Sequence, residues 1–101
     1  MKRKSSLEIR VSKMESMFDD VSNVMSNLDD ALEEYAGIKD KIDELNVYLE
    51  SGQWKKDFEA DEKGLIPKDM KRGVLSEDGL YDLLTEVNRI SERARDYFSL
   101  G

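Results

Sequence analysis

Apolar residues recur along the first half of this chain in alternating steps of four and three: Leu7, Val11, Met14, Phe18, Val21, Met25, Leu28, Leu32 and Tyr35. A heptad seam held over four heptads leaves the segment little choice but a helix with one apolar stripe. After Tyr35 the pattern slips. Ile38 follows only three residues later, and Ile42, Leu45 and Leu49 then resume the alternation. Two successive steps of three act as a stammer and overwind a supercoil locally. The slip falls at Ala36-Gly37, and glycine inside a helix costs about 1 kcal/mol relative to alanine. The spacing predicts a bend there, with a full break between two helices as the alternative. No proline or turn cluster marks a stop.

Ser51-Gly52 is expected to end this helix, because glycine suits the left-handed position that closes many helices. In the next segment, "QWKKDFEADEK", Trp54 and Phe58 sit four apart, as on one face of a helical turn or two. Gly64 gives a further stop, and Pro67 pushes Ile66 toward extended geometry. A second helix is predicted over 76–99. Ser76 reads as its N-cap, with a hydroxyl able to accept an orphan backbone N–H. Leu75 and Leu80 occupy the hydrophobic-staple positions around it. Glu77 and Asp78 complement the macrodipole in the first turn. Gly79 stands where a full capping box would have Glu or Gln.

The chain has 101 residues, enough for one domain. Charged residues make up 39%, well above the ~25% of an average domain, which favours a narrow buried seam over a thick core. The net charge of −7 is unevenly spread: +3 over residues 1–6, −8 over 7–50, +1 over 51–75 and −3 over 76–101. A dominant acidic helix repels nucleic acid and anionic membranes. Lys2, Arg3 and Lys4 form only a weak polyanion footprint on what reads as a flexible N-terminus. There is no cysteine, which removes disulfides, thiolate metal sites and thiol nucleophiles and suits a reducing compartment. There is no histidine, so the commonest general base and transition-metal ligand are missing. No apolar run approaches the ~20 residues of a membrane span. The basic N-terminus lacks the apolar stretch of a signal peptide, so a cytoplasmic location is expected.

Four groups of residues could carry chemistry. Lys71, Arg72 and Gly73 ahead of a helix start invite a phosphate. Glu77 and Asp78 occupy the turn such an anion would approach, and helix initiation is the preferred reading. Asp57, Glu59, Asp61 and Glu62 resemble the start of a calcium loop. Counted from Asp57, however, Glu62 holds the place that needs glycine and Lys68 the place that needs a bidentate Glu, so no metal is expected. Paired acids could do acid/base work, but only in a cleft that shifts their pKa values, which a narrow seam does not offer. Trp54, with Phe58, Leu65 and Ile66 nearby, reads as packing for the connector rather than an exposed anchor. Arg72 is expected to pair with an acid between Asp57 and Glu62, since its planar fork suits a carboxylate.

"YLESGQWKKDFEADEKGLIPKDMKRGVLSEDGLYDLL", Tyr48 to Leu84, resembles DUF4298, a family of small bacterial proteins of unknown function. The likeness rests on the Trp54 segment with Asp57 and Asp61-Glu62, on Gly64 and Pro67, on "RGVLSED" from Arg72 to Asp78, and on Leu83-Leu84. It implies a short, cytoplasmic bacterial protein. It brings no activity, cofactor or catalytic residue.

These readings converge on one all-α domain over 1–101: a basic N-terminus (1–6), a long heptad helix (7–50), a Trp-containing connector (51–75) and a C-terminal helix (76–99). The two long helices are expected to pack antiparallel, as a coiled-coil-like hairpin or, if the chain breaks at Gly37, as a three-helix bundle. At 1.5 Å per residue the first helix is roughly 68 Å long and the second about 36 Å, so part of the seam needs another cover. A homodimer, or another helical protein, would supply it. The expected function is a protein–protein interaction module without catalysis or cofactor. The alternatives are a nucleic-acid-associated protein using Lys2 to Lys4 with Lys55, Lys56, Lys71 and Arg72, and a small hydrolase using the connector carboxylates. The candidate motif is Trp54, Asp57, Phe58, Asp61, Glu62, Arg72 and Gly73.

Overall fold

The computed structural model describes Arg3 and residues 5–99, so Lys2 and Lys4 of the basic N-terminus lie outside the described residues. The protein is all-helical: α1 (Ser6–Glu50), α2 (Gln53–Glu62) and α3 (Gly79–Phe98), with a short 3-10 turn at Gly73–Leu75. Among the described residues there is no strand, and no helix is long and apolar enough to cross a membrane.

Helix α1 starts on a Ser-x-x-Glu pair. The Glu8 backbone N–H donates to Ser5 Oγ at 3.1 Å, and the Ser5 hydroxyl donates to the Glu8 carboxylate at 3.2 Å. One orphan donor of the first turn is thereby satisfied, as in a capping box. The helix then runs without interruption through Ala36-Gly37. A single glycine costs about 1 kcal/mol, which leaves the intact helical ladder on either side in place. The three-helix bundle, which needs a break at Gly37, is therefore not formed.

The chain divides into two compact units between Lys39 and Asp40. Of the first, residues 6–39 belong to α1. Its seam is exposed from Leu7 to Ile38, with Phe18 at 69% and Val21 at 61%; only Leu28 is half-buried. The second unit holds the core. Leu75, Leu80 and Leu84 are buried, and Ile42, Leu45, Tyr48 and Leu49 of α1 are half-buried. Burying one such leucine contributes roughly 1.5–3 kcal/mol.

Two glycines with left-handed backbone shape the connector. Gly52, at φ 87°, ends α1, and its carbonyl accepts the first bond of α2 from the Lys56 N–H at 3.2 Å. Gly64, at φ 74°, closes α2. The Gly64 N–H reaches the Asp61 carbonyl and the Leu65 N–H the Ala60 carbonyl, both at 3.0 Å, the paired bonds of a Schellman ending.

The start of α3 corrects the expected cap. The helix begins at Gly79, not after Ser76, and among the described residues no side chain caps it. Ser76 instead ends the 3-10 turn: its backbone N–H and its hydroxyl both donate to the Gly73 carbonyl, at 3.2 and 2.8 Å. With its hydroxyl spent backward on Gly73, Ser76 has nothing to offer the helix ahead. Leu75 and Leu80 still flank the entry and are both buried.

Candidate functional site

The connector gathers most of the polar side chains that the sequence singles out. The left-handed turn at Gly52 folds α2 back beside the last turn of α1, which brings Tyr48 to Asp57. The Tyr48 hydroxyl donates to Asp57 Oδ2 at 2.6 Å, and the Gln53 amide donates to Oδ1 at 2.8 Å. Both carboxylate oxygens are thus held. These bonds lower the Asp57 pKa below the usual carboxylate value, Tyr48 being the larger cause and Gln53 the smaller. Burial, then the Asp57 hydrogen bond and charge, push the Tyr48 phenol from 10.0 up to about 12.

One helical turn further along α2, Asp61 accepts from Arg72 Nη1 at 2.5 Å. Arg72 is therefore the clamp that ties the irregular segment after Gly64 back to α2. Trp54 ties down the 3-10 turn: its indole N–H donates to the Val74 carbonyl at 2.8 Å. Trp54 and Phe58 stack at a centroid separation of 5.1 Å and an interplanar angle of 20°, the offset geometry that aromatic pairs prefer.

The remaining candidates play smaller parts. Glu62 is the exposed last residue of α2, and among the described residues it joins no ion pair. Gly73 supplies the carbonyl that Ser76 uses, and a Cβ built on it meets nothing. Gly79 is the tighter glycine: a Cβ there would require Ser76 Oγ to turn away from its present position and would stand 3.2 Å from the Gly73 carbonyl oxygen, a close contact.

Tyr48, Gln53 and the Val74 carbonyl were not among the expected site residues. Tyr48 and Asp57 are separated by a helix end and a turn, so no periodicity links them. The Ser5 and Glu8 cap could have been read directly from "SSLE".

Each of these contacts is a tie between chain segments. Asp57 spends both oxygens on Tyr48 and Gln53, and Asp61 spends Oδ1 on Arg72. Among the described residues, no three carboxylates converge where a metal ion could sit.

The model of a family described as a domain of unknown function, DUF4298, matches residues 11–97. The chain belongs to this family. The matched span covers α2 and the 3-10 turn in full and nearly all of α1 and α3, so the family extends well beyond the connector motif that first suggested it. No curated protein and no solved structure matches the chain.

Proposed function

We propose that this DUF4298 protein is a non-catalytic interaction module whose long-helix seam binds a second copy of the chain. The observation that carries this reading is the first unit itself. From Leu7 to Ile38 a regular apolar stripe lies open on a well-capped helix. Monomeric proteins rarely expose contiguous apolar surface beyond a few hundred Å². A coiled-coil partner covers such a stripe along its length, and two-fold pairing of identical chains is the commonest way to close one.

The connector supports a structural rather than a catalytic role. Asp57 and Asp61, the acids a hydrolase would use, are engaged by Tyr48, Gln53 and Arg72. Arg72, one of the bases of the alternative nucleic-acid patch, is likewise paired with Asp61. A cytoplasmic, bacterial setting accords with the absence of cysteine and with the family resemblance.

Sedimentation equilibrium over a wide concentration range tests the proposal. A concentration-dependent rise to twice 11.7 kDa is expected. A species of 11.7 kDa at every concentration overturns self-association.

A further inference from the structure

We infer that α1 carries a second contact row, Met17, Val24 and Ala31, which joins two dimers of this chain into a four-copy assembly. The inference rests on the proposal that the seam binds a second copy. Its basis is the width of the apolar face. The seam positions alternate between two heptad rows, one through Phe18, Met25 and Leu32 and one through Val21, Leu28 and Tyr35. Met17, Val24 and Ala31 form a third row at the same seven-residue spacing, beside the Val21 row. At about 100° per residue the three rows fill an arc of about 140° between Met14 and Tyr35, and every residue inside it is apolar or aromatic. The whole third row is exposed, Val24 at 62%. Beyond the Phe18 row, on the other side, the face ends at Glu15, Ser22 and Asp29.

A two-stranded coiled coil covers two rows and leaves a third at its rim. A helix that shares a core with two neighbours needs three. The face therefore fits a bundle of four α1 helices, in which the Val21 row points inward and the rows on either side meet one neighbour each. A ring of three would instead turn the Met17 row of each helix toward Ser22 and Asp29 of the next. Closing two dimers by two-fold axes sets like row on like row and keeps the polar flank outside.

The third row is complementary to itself. About a two-fold axis at Val24, with the joined helices running in opposite directions, Val24 meets Val24 and Met17 lies level with Ala31 of the other copy, large against small. The row outside it is Lys13, Asp20, Asn27 and Glu34. In this register Lys13 comes within one residue of level with Glu34 of the other copy, and Asp20 with Asn27. A base thus faces an acid at each end of the joint, and no two acids are opposed. Running in the same direction, the joined helices would set Asp20 and Glu34 beside the apolar Val21 row of the neighbour.

Sedimentation equilibrium of the full chain, carried to high concentration, tests the joint. The parent is expected to pass through twice 11.7 kDa and reach four times that mass. Val24→Lys places a charge in the third row only and is expected to stop at twice 11.7 kDa, with the urea transition of Trp54 unmoved. Lys13→Glu is expected to lower the four-copy fraction, and Glu34→Lys in the same chain to restore it. A parent that stops at twice 11.7 kDa, or a Val24→Lys chain that still reaches four times, overturns the inference and leaves the dimer intact. A three-copy species, or a Glu34→Lys change that restores nothing, overturns the row-on-row joint. A mass of 11.7 kDa for the parent at every concentration overturns the dimer and the joint with it.

Discussion

One apolar pattern in α1 meets two fates. From Leu7 to Ile38 the seam is exposed, whereas from Ile42 to Leu49 residues of the same types at the same spacing are half-buried. Heptad spacing specifies a face that needs cover, and it does not say what provides it. In the second unit the chain itself provides it, and Tyr48 in that stretch is tied to Asp57 of α2. In the first unit cover is proposed to come from a second chain. The two regions should therefore respond differently to damage, and each of the following measurements probes that difference.

The largest effect is expected from Phe18→Asp. The side chain is exposed in the single chain, so a urea transition followed by the fluorescence of Trp54, the only tryptophan, should stay within about 0.5 kcal/mol of the parent. Self-association should weaken by about 3–6 kcal/mol, because a dimer loses two buried aromatics. A large loss of Trp54-reported stability would mean that the first unit is covered by its own chain.

Leu80→Ala is the converse test. Leu80 is 3% exposed in a core of three buried leucines. Its truncation should cost about 2–5 kcal/mol in the Trp54 transition, through lost burial and the cavity left behind. An unchanged midpoint would remove Leu80 from the core.

A smaller effect is expected at the Arg72–Asp61 clamp. Both side chains are partly exposed, so solvent screening limits their coupling in a double-mutant cycle to about 1 kcal/mol or less. Strict additivity would show that the pair does not hold the connector.

The Tyr48–Asp57 bond makes the second unit sensitive to pH at both extremes. Asp57 has a lowered folded pKa, so its stabilisation is present above the ordinary carboxylate pKa and is lost as pH falls through the folded value. Tyr48 has a raised folded pKa, so its contribution is complete below 10.0 and is lost as pH rises through about 12. Phenolate absorbance should show one tyrosine titrating near 12, and that step should vanish in Tyr48→Phe. In the same variant the acid-side loss of stability should be shallower.

Ser76→Ala should have the smallest effect, about 0.5–1 kcal/mol, from loss of an exposed hydrogen bond to the Gly73 carbonyl. Because Ser76 is not the helix cap, α3 should keep its first turn. Loss of amide protection at the start of α3 would restore the capping role.

Local chemistry made much of this protein legible from its residues. The seam spacing marked α1, Gly52 and Gly64 marked the ends of α1 and α2, and an arginine beside an acidic segment pointed to an ion pair. These signals work because helix periodicity, left-handed glycines and opposite charges act over a few residues. The misreading of Ser76 has the same local origin: serine before two acids is an equally good start in sequence, and only the folded turn shows its hydroxyl directed back to Gly73.

Sequence alone determined that residues 7–50 are helical with one apolar face, because spacing belongs to the residues themselves; that α1 runs unbroken through Gly37 was decided by the structure. Tertiary structure decided that the core gathers at Leu75, Leu80 and Leu84, that Tyr48 meets Asp57, that Arg72 chooses Asp61, and that Gly79 sits tight against Ser76 and the Gly73 carbonyl. Those outcomes depend on how the turns aim distant segments at one another. Burial and hydrogen bonding are settled by that geometry, which no spacing along the chain encodes.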